Sequence, residues 1–144
     1  MANKRPLADS PDDTETAFYD ALGRADLDGL MALWADDDEI VCVHPGAPRL
    51  IGHAAIRASW QSIFEQGGVP IHAVQLHVLQ NPTAATHSVI EQLRGDAEVR
   101  QQDRHIVATN VYVKTALGWR IAVHHASLAP GNAPPDDSVS TTLH

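Results

Sequence analysis

The sequence has one cysteine and no long hydrophobic run among its 144 residues. A single cysteine excludes an intrachain disulfide and a zinc site built from several thiolates. Cys42 lies in an apolar run, so we expect its side chain to be buried. No segment approaches the roughly 20 apolar residues that a membrane span requires. Lys4 and Arg5 are not followed by an apolar stretch, unlike in a signal peptide, so we expect a cytoplasmic protein.

Basic residues are also scarce. The chain has 10 Lys and Arg against 18 Asp and Glu, for a formal charge of −8. Only Lys4 and Arg5 are adjacent, so the chain lacks the basic patch that nucleic-acid binding needs. Nine histidines are present, but none has the H-x-H or H-E-x-x-H spacing of a metal site. We therefore expect no nucleic-acid partner, no metal and no cofactor.

What is present is an ordinary globular composition, with 44% hydrophobic and 19% charged residues. The polar, proline-punctuated ends at residues 1–11 and 131–144 are expected to be loose tails. Between them, residues 12–130 read as one domain, since the length suits a single core and no repeat is visible.

Three helices are predicted in the first half. Asp12 with Glu15 three residues later resembles a capping pair, and Asp26 can cap a second, short helix. A third helix is expected after Gly52, where apolar residues recur at helical spacing up to Gly67. Acidic residues 36–39 are expected to form an exposed loop.

The second half is strand-like, after a first strand at residues 40–44. Alternating or β-branched segments at 69–79, 86–94, 105–114 and 119–128 are separated by Asn, Pro or Gly. The order predicts an α+β fold, with about three N-terminal helices wrapped by a cone-shaped, curved antiparallel sheet that encloses a cavity for a small molecule. The 105–114 strand is apolar on both faces, and helices can cover only one. We expect a homodimer that covers the other.

The run RADLDGLMALWADDDEIVCVHPGAPRLIGHAAIRASW resembles the nuclear transport factor 2-like superfamily, particularly its SnoaL-like and ketosteroid isomerase-like branches. The final strand, GWRIAVHHAS, is similar to the ending of many small members and of the association domain of calcium/calmodulin-dependent kinase. The resemblance spans about residues 12–130. It implies the cone-shaped fold but leaves function open, because this fold supports isomerases, cyclases, dehydratases and non-catalytic domains.

Ketosteroid isomerase chemistry needs a carboxylate base and two acidic hydrogen-bond donors, a tyrosine and a protonated aspartic acid. The resemblance places His44 at the base position and Asn110 at the aspartic acid position. It places Phe18 at the tyrosine position, with Tyr19 one residue on. A histidine can act as a base near neutral pH, but Phe18 cannot donate a hydrogen bond. Efficient steroid isomerisation is therefore not expected.

Other candidates follow from the pattern. His125 shares the alternation of Trp119 and Ile121, which makes it a weaker catalytic candidate on the cavity side or at an interface. Glu91 is expected at the surface or in a dimer ion pair. Besides Phe18, the candidate ligand-binding residues are helix aromatics, a loop arginine and apolar or aromatic neighbours: Trp34, Arg49, Ile56, Trp60 and Tyr112.

For each of these residues a structural role remains the alternative, such as a strand-end hydrogen bond for His44. Three functions remain open. The first is a dimeric domain that binds a small, largely apolar molecule without chemistry. The second is a lyase, isomerase or cyclase that uses His44 as acid or base. The third is an oligomerisation or interaction module.

Overall fold

The computed structural model describes residues 8–93 and 104–134, which form three helices and six strands. The elements in chain order are α1 (Pro11–Arg24), α2 (Leu27–Met31), β1 (Val41–Val43), β2 (Arg49–Ile51), α3 (His53–Phe64), β3 (Ile71–Gln80), β4 (Ala84–Leu93), β5 (Arg104–Thr115) and β6 (Gly118–Pro130).

Helix α1 begins at Pro11. Its N-cap is Ser10, whose Oγ accepts a hydrogen bond from the Asp13 amide at 3.1 Å. The predicted capping pair is therefore wrong, because Ser10 already satisfies the exposed amide. Glu15 does not cap the helix, and its side chain is buried in the protein. The helix ends at Ala25, which adopts a left-handed φ of 54°.

The other two helices follow their expected signals. Asp26 caps α2 by accepting a hydrogen bond from the Gly29 amide at 3.0 Å, which confirms the predicted cap. Helix α3 follows Gly52, whose φ of 90° favours glycine. It ends at Phe64, shortly before Gly67 and Gly68.

The strands form one curved, open sheet in the order β2-β1-β6-β5-β4-β3. Neighbours are antiparallel except for β1 and β6, which run parallel. The predicted α+β fold is confirmed, with this parallel pair as a difference in detail. Strand β2 was not predicted, because three residues beside Pro48 give no alternation to detect.

A β-bulge in β6 changes which side chains face the helices. Tyr112 pairs with Ile121 and Val111 pairs with Val123, so Ala122 has no partner on β5. An extra residue in one strand reverses the alternation beyond it. Trp119 and Ile121 face inward before the bulge, and His124 faces inward after it.

The inner face of the sheet and the helices share one core that includes Phe18, Leu22, Leu30, Ile56 and Trp60. Cys42 is fully buried there, as predicted from its apolar run. Acidic residues 36–39 are exposed, as predicted. In the described part of the chain, no helix is long and apolar enough to cross a membrane.

The described ends of the domain are attached to the sheet. The Trp119 amide donates to the Ala8 carbonyl at 3.1 Å. Beyond β6, the Gln75 side-chain amide donates to the Pro134 carbonyl at 2.6 Å. Ala8 and Pro134, which lie in the predicted tails, therefore contact the domain, and the loose tails at 1–11 and 131–144 stay a prediction. Residues 1–7 and 135–144 lie outside the described residues, as does the predicted break at Gly95.

Candidate functional site

A connected set of polar side chains lies between α1 and the inner face of β4, β5 and β6. Each member is at most 8% exposed. We call this set the interior polar cluster: Glu15, Tyr19, His87, Glu91, Asn110, Tyr112 and His124.

Glu15 is the centre of the cluster. Its Oε1 lies 3.1 Å from Nδ1 of His87, and its Oε2 accepts hydrogen bonds from the Tyr112 hydroxyl at 2.8 Å and from Nδ2 of Asn110 at 3.1 Å. Burial alone would raise the pKa of Glu15, but these hydrogen bonds outweigh it and the pKa is lowered. Glu15 is therefore an ionised carboxylate inside the protein.

Asn110 links Glu15 to the rest of the cluster. Its Nδ2 also donates to the Tyr19 hydroxyl at 3.0 Å, and its Oδ1 lies 2.6 Å from Nδ1 of His124. The Tyr19 hydroxyl in turn donates to Oε2 of Glu91 at 2.7 Å. One amide therefore joins two carboxyl groups and a histidine.

Burial shifts the proton affinity of two members in opposite directions. It raises the pKa of Glu91 to about 7, with a further increase from the Glu15 charge, although the Tyr19 hydrogen bond lowers it. It lowers the pKa of His124 to about 3. Glu91 thus exchanges its proton near neutral pH, while His124 stays neutral there.

His44 lies at the end of β1, close to this cluster. Its ring makes an edge contact with Trp60, with centroids 4.7 Å apart, and Trp60 also lies 6.2 Å from the His124 ring. Nε2 of His44 is 2.7 Å from Oγ of Ser59 on α3. His44 and Ser59 are half-buried, and desolvation lowers the pKa of His44. Neutral imidazole therefore predominates at neutral pH.

Cys42 adds no reactive thiolate to this region. Its Sγ is 3.9 Å from Nε2 of His44, but burial raises the pKa of the thiol to about 12. The fully buried thiol is protonated and acts as a small apolar group.

Several predicted site residues meet in this interior. Phe18 and Trp60 pack edge to face with centroids 6.2 Å apart, next to His44. Asn110 and Tyr112 are cluster members. These predicted site residues therefore lie in one region of the structure, and their roles remain predictions.

Other candidates lie elsewhere. Arg49 is exposed on the edge strand β2, opposite Val43, and not in a loop as expected. Trp34 is buried beside Ile121, where the two residues form an isolated bridge. Ile56 is fully buried in the core. None of these three makes a described hydrogen bond to the cluster.

His125 is on the opposite face of the sheet. It is exposed and pairs with Thr109, whereas His124 is 3% exposed and faces α1. The predicted placement of His125 with Trp119 and Ile121 is therefore wrong. The cause is the bulge at Ala122, which reverses the alternation between Ile121 and His124.

Sequence reasoning missed five cluster members: Glu15, Tyr19, His87, Glu91 and His124. Glu91 was expected at the surface, but it is 5% exposed. A signal was available in β4, where inward positions Ala85, His87, Val89 and Glu91 alternate with outward ones. Polar residues at those inward positions indicate a buried polar site, and this alternation could have identified His87 and Glu91.

We consider four grooves on the surface of the described residues. The one between α1 and β3 has a volume of about 520 Å³, and its lining includes Glu15 and Tyr19 together with His72, Ile71 and Ala73. The cluster therefore borders a groove that is open to solvent. Within the described residues, none of the four grooves is lined by His44 or Trp60. An internal cavity beside His44 stays a prediction.

The fold and the cluster define an α+β domain whose open, curved sheet surrounds a polar interior. Comparison with family models identifies it: residues 12–131 match the SnoaL-like domain. The chain belongs to this family, within the nuclear transport factor 2 (NTF2)-like superfamily, which confirms the resemblance seen in the sequence.

Solved structures agree with this assignment. A protein from Thiobacillus denitrificans, proposed to be a calcium/calmodulin-dependent protein kinase type II association domain, is 39% identical over 85% of this chain and 98% of its own, with a TM-score of 0.72. An NTF2-like family protein from Streptomyces avermitilis, proposed to be a dehydratase, is 31% identical over 83% of this chain and 92% of its own, with a TM-score of 0.68. An NTF2-like protein of unknown function from Pseudomonas putida is 22% identical, covers 88% of this chain and 85% of its own, and has a TM-score of 0.68. No curated protein matches the chain.

Proposed function

We propose that this domain is a homodimer that binds a small molecule inside the sheet, between His44, Trp60 and the interior polar cluster. The observation that carries the proposal is the cluster itself. Seven polar side chains are joined by hydrogen bonds in an interior whose other buried residues are, apart from Thr14, mainly apolar. A half-buried histidine lies beside them.

The energetic cost of the cluster supports a functional role. Burying ionisable groups costs free energy, and well-packed apolar residues of similar volume often stabilise a protein as much or more. A fold that needed only stability would not require two carboxyl groups and two histidines in its core. Ionisable groups with shifted pKa values tend to collect at functional sites.

Access from solvent is available on two sides of the cluster. Half-buried His44 and Ser59 mark one side, and Phe64 on α3 is also half-buried there. The groove between α1 and β3 borders Glu15 and Tyr19 on the other side. In this proposal, a ligand reaches the polar groups from one of these two sides by displacing side chains there.

A fragment screen tests the binding proposal. A panel of small neutral and charged ring compounds is added to the labelled protein, and side-chain NMR signals of His44, Trp60 and His124 are followed. We expect some compounds to shift these signals together, and His44→Ala to weaken their binding by roughly tenfold without lowering the melting temperature appreciably.

The matched control is His77→Ala, because His77 is exposed on β3. This variant should bind the compounds as the parent does. Shifts confined to exposed residues would contradict an interior site. If His44→Ala instead lowers the melting temperature strongly, while the protein that remains folded binds the compounds with unchanged affinity, His44 has a structural role only.

Acid–base catalysis of the lyase, isomerase or cyclase type is the second candidate. It is favoured by the pKa of Glu91, which burial raises to about 7, and by the lowered pKa of His44. A proton donor and a neutral base are then available at neutral pH. The relative from Streptomyces avermitilis, proposed to be a dehydratase, is consistent with such chemistry. In this case His44→Ala should abolish turnover of a bound substrate while the fold is retained.

The dimer is proposed from the outer face of the sheet. We call the following positions the outer patch: Thr86, Ser88, Ile90, Val107, Thr109, Val111, Val113, Val123, His125 and Ser127. None of them is Asp, Glu, Lys or Arg, although Arg120, which pairs with Val113, borders the patch. Charged residues are depleted at the centres of protein interfaces. The relative from Thiobacillus denitrificans, proposed to be an association domain, supports self-association through this family's fold.

A further inference from the structure

The directions of the hydrogen bonds in the interior polar cluster follow from one group. The ionised carboxylate of Glu15 has no proton, so each contact to its oxygens must come from a donor. The nitrogen of the Asn110 amide therefore faces Oε2 of Glu15, at 3.1 Å. The same nitrogen donates to the Tyr19 hydroxyl at 3.0 Å.

This amide orientation fixes the tautomer of His124. The oxygen of Asn110 is left facing the histidine, at 2.6 Å from its Nδ1. An amide oxygen can only accept, so Nδ1 of His124 must carry the proton. Since burial keeps the ring neutral, the second nitrogen, Nε2, has a free lone pair. His124 is thus prepared as a hydrogen-bond acceptor.

The charged groups of the interior restrict the charge of a ligand that could bind beside His124. Among the described residues that are buried, none is Lys or Arg, whereas Glu15 and Glu91 are both buried. Arg24, at the rim of the α1–β3 groove, is well exposed and paired with Asp20 at 3.0 Å. An anion that entered the interior would lose its hydration without meeting a Lys or Arg, and the buried His87 ring is already paired with the Glu15 carboxylate.

The walls beside His124 are aromatic. The Phe18 ring lies 5.0 Å from the His124 ring and the Trp60 ring lies 6.2 Å from it. A ligand that reaches His124 would therefore meet apolar rings, and His44 makes an edge contact with the same Trp60. A ring with one polar substituent matches this combination.

We infer that the interior site selects an uncharged ring compound with a hydroxyl or N–H group, which donates a hydrogen bond to Nε2 of His124, and that it rejects carboxylates and phosphates. The inference rests on the proposed binding function. Asn110 is a positioning residue in this arrangement, because it acts through His124. The specificity comes from the acceptor, from the two buried carboxyl groups and from the absence of buried Lys and Arg among the described residues.

Three probes of similar size test the inference. Phenol has the donor, anisole has the same ring without the donor, and benzoate carries the negative charge. We expect phenol to bind roughly tenfold more tightly than anisole, which is the effect of one hydrogen bond. Benzoate should not shift the interior signals. Dissociation constants are measured by NMR titration of the full chain.

The tautomer is read directly in the parent protein. With ¹⁵N-labelled histidine, the free protein should show a protonated Nδ1 and an unprotonated Nε2 at His124, and phenol should shift the Nε2 signal. His124→Phe should abolish the preference for phenol over anisole. His77→Phe, at an exposed position on β3, is the matched control and should retain that preference.

The outcomes separate the two proposals. Equal affinity for phenol and anisole, interior binding of benzoate, or a protonated Nε2 in the free protein would each overturn the inference and leave the binding function in place. Failure of these three probes while other compounds of the screen bind inside would also overturn the inference alone. Failure of every compound to reach the interior would overturn the proposed function. If His124→Phe does not fold, the inference is still tested by the His124 tautomer and by the affinities of the parent protein for phenol, anisole and benzoate.

Discussion

At the scale of single residues, the site depends on where Glu15 points. The sequence pattern suggested that it caps α1, but Ser10 performs that role and Glu15 lies among His87, Asn110 and Tyr112. A buried carboxylate needs hydrogen-bond donors, and these three residues supply them. The three donors are therefore held together by their contacts with the Glu15 carboxylate.

Glu91 gives a pH-dependent prediction. Burial raises its pKa from 4.5 to about 7, so between these values the folded protein holds a proton that the unfolded chain has released. Stability from this group therefore falls as the pH rises through that window. Glu91→Gln has no proton to lose and keeps an acceptor for Tyr19. Relative to the parent, the variant should gain at most about 3 kcal/mol in unfolding free energy between about pH 5 and about pH 8.

Urea denaturation of both proteins at the two pH values measures this change. Glu65→Gln, at an exposed position after α3, is the matched control and should differ from the parent equally at both pH values. His124 and Glu15 titrate in parent and variant alike, so their contributions largely cancel in the comparison. A Glu91→Gln difference that does not change with pH would show that Glu91 ionises normally.

At the scale of secondary structure, the bulge in β6 decides which histidine belongs to the interior. Residues on either side of Ala122 follow different alternations, with Ile121 inward on one side and His124 inward on the other. A strand pattern read with a constant period of two places His125 inside and is wrong. The extra residue Ala122 therefore decides which histidine joins the interior polar cluster, in addition to changing the course of the backbone.

Deleting Ala122 tests this role. Without the extra residue, either Trp119 and Ile121 or His124 and Ala126 must turn to the outer face. The loss of buried contacts should destabilise the protein by more than about 3 kcal/mol or prevent folding. Denaturation followed by circular dichroism measures the effect. Ala122→Gly keeps the residue count and should cost about 1 kcal/mol or less. A deletion variant as stable as the parent would show that the bulge does not set the alternation.

At the scale of the whole molecule, the two faces of the sheet have different roles. The inner face packs against the helices and carries the cluster. The outer patch is free of formal charge, although its central residues are only half-buried in one copy of the chain. A sheet face with few charges and with valine and isoleucine at half of its positions is often covered by another surface. A second copy of the chain offers a self-complementary cover.

Val111→Lys tests the dimer, because Val111 lies in the middle of the outer patch between Thr86 and Val123. Two lysines brought together across a symmetric interface should repel each other and give a monomer. Equilibrium sedimentation at micromolar concentration should show half the mass of the parent, with an unchanged circular dichroism spectrum. Leu79→Lys, at a position 74% exposed on β3, is the control and should keep the parent mass. A parent that sediments as a monomer would contradict the dimer.

The sequence alone determined the helices, five of the six strands (all but β2) and their assignment to a SnoaL-like fold. These features depend on local periodicity and on turn residues such as Gly52, which each segment carries within itself. The family resemblance also drew attention to His44 and Asn110, and the pattern to Trp60 and Tyr112, as candidate site residues, and their roles stay predictions.

Only the tertiary structure decided which polar residues form the site. Glu15, His87 and Glu91 come from segments far apart in the chain, and their burial depends on partners that no local pattern contains. The choice of His124 over His125 depends on one unpaired residue in β6, which is visible only in the pairing with β5. A local pattern records the period of a segment, whereas register and hydrogen-bond partners are properties of the assembled sheet.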